Sequence, residues 1–186
     1  MESNNPEIFT QILAVIDTDY IKTNYPKQNS PAWKKPVSIN HPGQYLFASD
    51  PRGVNSGQGT ADLNLNAWVG DGIDVSGTSI YENSVDAVIV YEIRLLHGDN
   101  LFSPFSTVTL QRAKAVTPDA QSPDKNGLPP ILTPLNFNQL LSRVIGTGKA
   151  DLSLQFGLYT LQDDGVTQSL YGYFSWNPSI TIPSAA

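Results

Sequence analysis

Between Asp50 and Asp71 a polar loop carrying Gly53, Gly57 and Gly59 runs into a stretch of strict apolar–polar alternation. Ala61, Leu63, Leu65, Ala67 and Val69 share one face, and Asp62, Asn64, Asn66 and Trp68 share the other. A period of two marks a strand buried on one side, and Gly70-Asp71-Gly72 is a turn signal that ends it. Ile73, Val75 and Gly77 then start a paired strand. The loop lacks the Lys-Ser/Thr pair of a P-loop and leads into a strand rather than a helix, so it presents no helix N-terminus to a phosphate. It reads as a tight loop whose glycines take positive φ.

The same punctuation continues along the chain. Fourteen glycines and fourteen prolines cut its 186 residues into short segments, as in sandwiches and barrels. Ile8 to Ile16 is a strand apolar on both faces, hence covered. Asp17 to Pro42, with four prolines, reads as a long connection, and Gln44 to Ser49 as a short strand. Asp86 to Leu96 is too β-branched for a helix and reads as a core strand; Ser106 to Leu110 is another. Thr117 to Pro134 holds five prolines and reads as a solvated or partner-facing loop. Phe137, Leu140, Leu141, Val144 and Ile145 fall at helical spacing, so residues 136–145 are expected as a short helix, with a strand as the competing reading. Leu152 to Leu158 and Leu170 to Trp176 alternate around an Asp163-Asp164-Gly165 hairpin, and Ser179 to Pro183 closes the chain. The expectation is one domain over residues 1–186: a two-sheet antiparallel β-sandwich, jelly-roll-like, with long loops and at most one short helix.

Composition removes whole classes of function. With no cysteine there is no disulfide, thiolate nucleophile or Cys-ligated zinc. The net charge is -6 and the only adjacent basic pair is Lys34-Lys35, which excludes the electrostatic footprint of a nucleic-acid or membrane-surface binder. No apolar run reaches the roughly 20 residues needed to cross a bilayer. The first residues, Met1 to Glu7, lack the pattern of a signal peptide, and the expected location is the cytoplasm, with release by another route left open.

Little catalytic chemistry survives inspection. His41 and His97 both stand in Gly-containing turn sequences, and neither lies beside a nucleophile elbow. Paired carboxylates occur at Asp17/Asp19, Asp71/Asp74 and Asp163/Asp164, and calcium is the cation such β-loops hold, although Asp-Gly is equally a turn signal. Trp68, among Asp62, Asn64 and Asn66, is placed to stack on a sugar or to meet a second subunit; burial under the Asp17 to Pro42 connection is the alternative. Tyr171 and Tyr173 alternate on the face opposite Phe174 and Trp176 and mark a second face, either buried or at an interface.

Longer stretches carry a family resemblance. Ala14-Val15-Ile16-Asp17-Thr18-Asp19-Tyr20-Ile21 and Arg52-Gly53-Val54-Asn55-Ser56-Gly57-Gln58-Gly59-Thr60-Ala61-Asp62-Leu63-Asn64 resemble the bacterial AidA/PixA inclusion body protein family. So do Ser79 to Tyr91 and Tyr171 to Ile180, in the family's order. The resemblance implies a non-enzymatic protein associated with cytoplasmic inclusions, or with quorum-sensing and stationary-phase expression in host-associated bacteria, and carries no catalytic residues. Met1 is the only methionine, which departs from methionine-rich inclusion members. Two expectations follow. The first is self-association as a homodimer or larger assembly, without an enzymatic activity. The alternative is a lectin-like module binding a glycan, calcium-assisted, through Trp68, Asn64, Asn66, Asp17 and Asp19, with Asp71 and Asp74 as the weaker cation ligands.

Overall fold

Twelve strands and one short helix form two packed sheets in a computed structural model that describes residues 8–40 and 42–184. In chain order these are β1 (Phe9–Ile16), α1 (Thr18–Asn24), β2 (Val37–Ser38), β3 (Gln44–Ser49), β4 (Val54–Ser56), β5 (Asp62–Leu65), β6 (Gly72–Ser79), β7 (Asp86–Gly98), β8 (Ser106–Thr117), β9 (Ile131–Arg143), β10 (Gly148–Leu161), β11 (Gln168–Trp176) and β12 (Ser179–Ile182). One sheet has the order β3-β1-β6-β9-β8. The other runs β2-β11-β10-β12-β5-β4, with β7 also paired to β10. Ile12, Ile73 and Leu140 of the first sheet meet Leu154, Phe156 and Trp176 of the second, all buried. Each such side chain contributes roughly 1.5–3 kcal/mol on leaving water. The protein is an all-β sandwich.

The sheets are mixed rather than antiparallel. β1 lies parallel to β6, β5 to β12, and β2 to β11. Parallel neighbours need long crossovers, which the chain supplies between each of these pairs. The expected hairpin after Gly70-Asp71-Gly72 is therefore absent. The Asp71 carboxylate accepts the Trp68 N–H at 2.6 Å, which curls residues 68–71 into a turn after β5 has ended, and β6 crosses to the other sheet beside β1. Leu63, Leu65 and Ala67 point inward as their alternation requires, whereas Val69 is turned to solvent.

The one helix stands elsewhere than expected. Residues 136–145 lie mainly in β9, while α1 occupies the connection after β1. Asp17 caps α1, its carboxylate accepting the Tyr20 N–H at 3.0 Å, and Ile21 buries its apolar side. The hairpin at Asp163-Asp164-Gly165 forms as read: Asp164 accepts from Val166 N at 2.9 Å and Thr167 N at 2.8 Å, bonds that lower its pKa. The proline-rich loop shortens to residues 118–130, because β8 continues to Thr117 and β9 starts at Ile131. Pro134 is tolerated where the β8–β9 register shifts. Only Leu140 to Arg143 of β9 pair with β6, so the distal β8–β9 ladder projects as a two-stranded arm.

The glycine-rich loop guards an edge. Leu46 N donates to Thr60 O and Gly59 N to Leu46 O, both at 2.8 Å, and the Gln58 amide bonds Ala48 through both ends. Gly57 has φ +92°, and a Cβ there would sit 2.1 Å from Asp62 O, so only glycine fits. The free edge of β3 is thereby closed to strand addition. At the opposite edge, Arg112, Lys114 and a register shift interrupt β8. No helix among the described residues is long and apolar enough to cross a membrane.

Candidate functional site

The residues singled out around Trp68 meet, but as a structural clamp. Arg52 bonds Asp71 and lies 3.8 Å from the Asp50 carboxylate, while Thr10 donates to Asp50. The guanidinium sits over the Trp68 ring, 4.6 Å from its centroid. Asn66 Nδ2 donates to Arg52 O at 3.0 Å, and Asn64 Oδ1 accepts from Asn55 Nδ2 at 3.1 Å. Trp68 is 48% exposed and packs under Arg52 rather than under the residue 17–42 connection.

Asp17 and Asp19 stand apart from this cluster, on α1. Tyr81 and Lys22 bond Asp19, and the Tyr81 hydroxyl, together with Lys22, lowers its pKa. Lys22 also reaches the fully buried Asp86 at 2.5 Å, which accepts from Thr18 Oγ1 at 2.8 Å. Burial works against the charge on Lys22, but the bonds from Asp86 and Asp19 outweigh it and raise its pKa. Among the described residues no three acidic or histidine side chains gather where a cation could be held. Calcium on the expected carboxylates would first have to break the bonds of the Asp17 cap, the Asp19–Lys22 pair and the Asp71–Arg52 pair. His97 lies exposed near the end of β7, opposite Asp151, and His41 falls outside the described residues.

Asp74 is separate again, on the outer face of the five-stranded sheet. Gln139 Nε2 donates to its Oδ2 at 2.7 Å; Gln11 lies across the β1–β6 pair, but Oδ1 is left without a hydrogen bond. Burial raises its pKa. A folded-state pKa above the ordinary 3.8 means that the penalty is absent below that value and develops as pH rises through the raised one. Asp74→Asn is therefore expected to stabilise the fold by about 1 kcal/mol at about pH 7 and by nothing at about pH 3. Urea midpoints at the two pH values check this, and equal shifts at both would exclude ionisation as the cause.

Three surfaces among the described residues stand out from the bonds that hold the fold. The first is the outer face of the five-stranded sheet, where Phe9, Leu13, Tyr45, Phe47 and Phe137 are all exposed. In register, Leu13 stands beside Phe47 and Val15 beside Tyr45. The second is a cleft of about 620 Å³ between β6, β7 and β9, whose lining includes Thr78, Asn83, Asn136, Asn138 and Phe137. The third is an aromatic pocket of about 320 Å³ on the outer face of the other sheet, lined by Trp33, Ile89, Tyr91, Gly157, Tyr159 and Tyr173. Its floor is Gly157, where a Cβ would press within 3.1 Å of Tyr159 and 3.2 Å of Tyr173. Tyr91 is perpendicular to both Trp33 and Tyr173, and its hydroxyl donates to Trp33 O at 2.7 Å. Burial, and secondly the Glu92 charge, push the Tyr91 pKa up to about 12, so the hydroxyl stays a donor at physiological pH.

Of the pocket's aromatic side chains the sequence marks Tyr173 by its alternation, but not Tyr91 or Tyr159. Gly157 was the available signal, a lone glycine inside a strand of large residues. Tyr171 leaves the face expected for it: the strand bulges at Leu158/Tyr159, and its ring stacks on buried Phe174.

The sandwich has known counterparts. The family model described as inclusion body protein, PixA, matches residues 8–182. The chain belongs to the PixA inclusion body protein family. A crystal structure of an inclusion body protein of this family from Burkholderia cenocepacia J2315 is 34% identical, covers 98% of this chain and 99% of its own, and superposes with a TM-score of 0.80. No curated protein matches the chain.

Proposed function

We propose that this PixA-family protein is a non-enzymatic building block that associates with copies of itself in the cytoplasm. The observation that carries this reading is the outer face of the five-stranded sheet. Its large side chains are aromatic or aliphatic. The charged side chains that share it are the buried Asp74 and, towards the ends of the β8–β9 ladder, Arg143 and Arg112. Aromatic enrichment with depletion of charge marks an interface core. The sheet edges are guarded by the glycine-rich loop and by the Arg112–Lys114 irregularity, which favours contact through faces over strand addition. The test is light scattering over a range of concentrations. Wild-type protein is expected to exceed a monomer's mass, and Leu13→Glu with Phe47→Glu, two like charges side by side on β1 and the edge strand β3, to return it to a monomer that still unfolds cooperatively. A wild type that stays monomeric at every concentration would overturn the reading.

A second reading is favoured by the cleft beside β7. Its amides and hydroxyls, with the exposed Phe137 ring, suit a neutral polyol such as a sugar. Glycan binding is expected there rather than at Trp68, whose ring already carries Arg52. A glycan array read with and without calcium decides this, and silence in both conditions removes it.

A further inference from the structure

A self-complementary face closes on itself as a dimer and goes no further; continued growth needs a second contact between unlike surfaces. The β8–β9 arm and the aromatic pocket are two such surfaces. Along the arm Val116, Leu132 and Leu128 are 68%, 60% and 57% exposed, and an isolated two-stranded ribbon is marginally stable in water. Yet its tip is braced. Ser122 Oγ donates to Leu128 O at 2.7 Å, Asn126 Oδ1 accepts from Leu128 N at 2.9 Å, and Asp119 N donates to Gly127 O at 3.0 Å. These bonds hold out Leu128, Pro129 and Pro130 as a pre-formed apolar tip, so little ordering is lost on docking.

We propose that the arm tip of one copy docks into the Trp33–Tyr91–Tyr159–Tyr173 pocket of the next. The chemistry fits, since proline and leucine side chains pack on aromatic faces and aromatic-lined grooves are the usual receptors of proline-rich segments. The pocket is also set before binding: Tyr91 ties the Trp33 backbone down, and Gly157 keeps the floor open. Charge agrees as well. The tip carries Asp119 and Asp124 against a single Lys125; at the pocket Lys34, its ammonium 5.1 Å from the Trp33 ring centroid, and exposed Lys35 together outnumber Glu92, the acidic neighbour of Tyr91. Tip and pocket belong to different parts of the molecule, so the contact is head-to-tail and propagates dimers made through the sheet face. The proposal rests on the self-association reading and adds its second contact.

Leu128→Asp damages the tip and Trp33→Ala the pocket, both at exposed positions. Each variant alone is expected to stay a dimer by light scattering while losing the larger species by at least about tenfold. Mixing them restores one good tip (on Trp33→Ala) and one good pocket (on Leu128→Asp), and the Trp33 emission of the latter is expected to shift on mixing. The shift should weaken with added salt. The Leu13→Glu, Phe47→Glu protein keeps tip and pocket and is expected to show the tip–pocket shift when titrated with a peptide of residues 118–132. Wild-type-sized assemblies from both single variants, or Trp33 emission indifferent to mixing and to the peptide, would overturn the tip–pocket contact. Wild-type monomers at all concentrations would instead overturn the parent reading, while the peptide titration still reports on the pocket.

Discussion

Replacing Lys22 by methionine is expected to destabilise the fold by about 3 kcal/mol near neutral pH, read from the urea midpoint. The reason lies in Asp86, whose carboxylate is fully buried at the start of β7 with Lys22 as its counter-charge at 2.5 Å. Thr18 satisfies one oxygen and the other has no bond, so removing the ammonium leaves an uncompensated buried charge. The lower end of the usual range applies because the Lys22 side chain is 29% exposed and partly solvated. The pH dependence has a definite sign. Lys22 has a folded-state pKa raised above the ordinary 10.5, so its contribution is complete below that value and is lost as pH climbs through the raised one. The gap between wild type and variant should thus be constant from neutral to about pH 10 and then close. Lys22→Met with Asp86→Asn, which removes both charges, is expected to recover most of the loss; no recovery would mean that Lys22 acts through packing alone.

Arg52→Met should have an effect of similar size, about 3 kcal/mol. Arg52 is the counter-charge for Asp71, and its neighbour Asp50 is itself buried; the side chains of Asp71 and Asp50 are 7% and 0% exposed. It also covers the Trp68 ring, so the same variant should red-shift the Trp68 emission as the indole meets water. Arg52→Lys is expected to recover less than half of the stability, because an ammonium cannot serve two carboxylates and a ring face from one planar fork. Full recovery by lysine would show that charge alone matters there.

These two ion clusters explain why the sandwich was legible from the sequence while the candidate site was not. Alternation at Leu152 to Leu158 and at Leu63 to Ala67 is a local signal, and both segments bury the face it assigns. β9 defeated the same logic. Leu140 and Val144 point into the core while Phe137 and Leu141 lie on the outer face, and because both faces are apolar their sum mimics helical spacing. The misread strand and the apolar outer face thus have one cause: a strand reads as amphipathic only when one of its sides is polar. α1 was missed for the opposite reason, since seven residues hold too few turns for a period. Its Asp17 cap read as a candidate ligand, as did Asp71, because a sequence shows a carboxylate without showing which cation or amide already holds it. The aromatic pocket draws on the residue 33 loop, β7, β10 and β11, and only topology brings those together.

The parallel pairing of β5 with β12 also sets a timetable for synthesis. Asp62 accepts the Ser179 N–H from 117 residues further on, and β12 is the last strand among the described residues. At about 5–20 residues per second, the earlier strand waits roughly 6–23 seconds for its neighbour to be made. The second sheet therefore completes only once β12 has been made, and until then one flank of β5 stays open. A nascent chain spends that interval with its apolar outer face and arm already written and its sheet unfinished. Deleting β12 should accordingly damage a strand made 117 residues earlier, and the arrival of β12 is the event that decides when the sandwich first has both of its sheets finished.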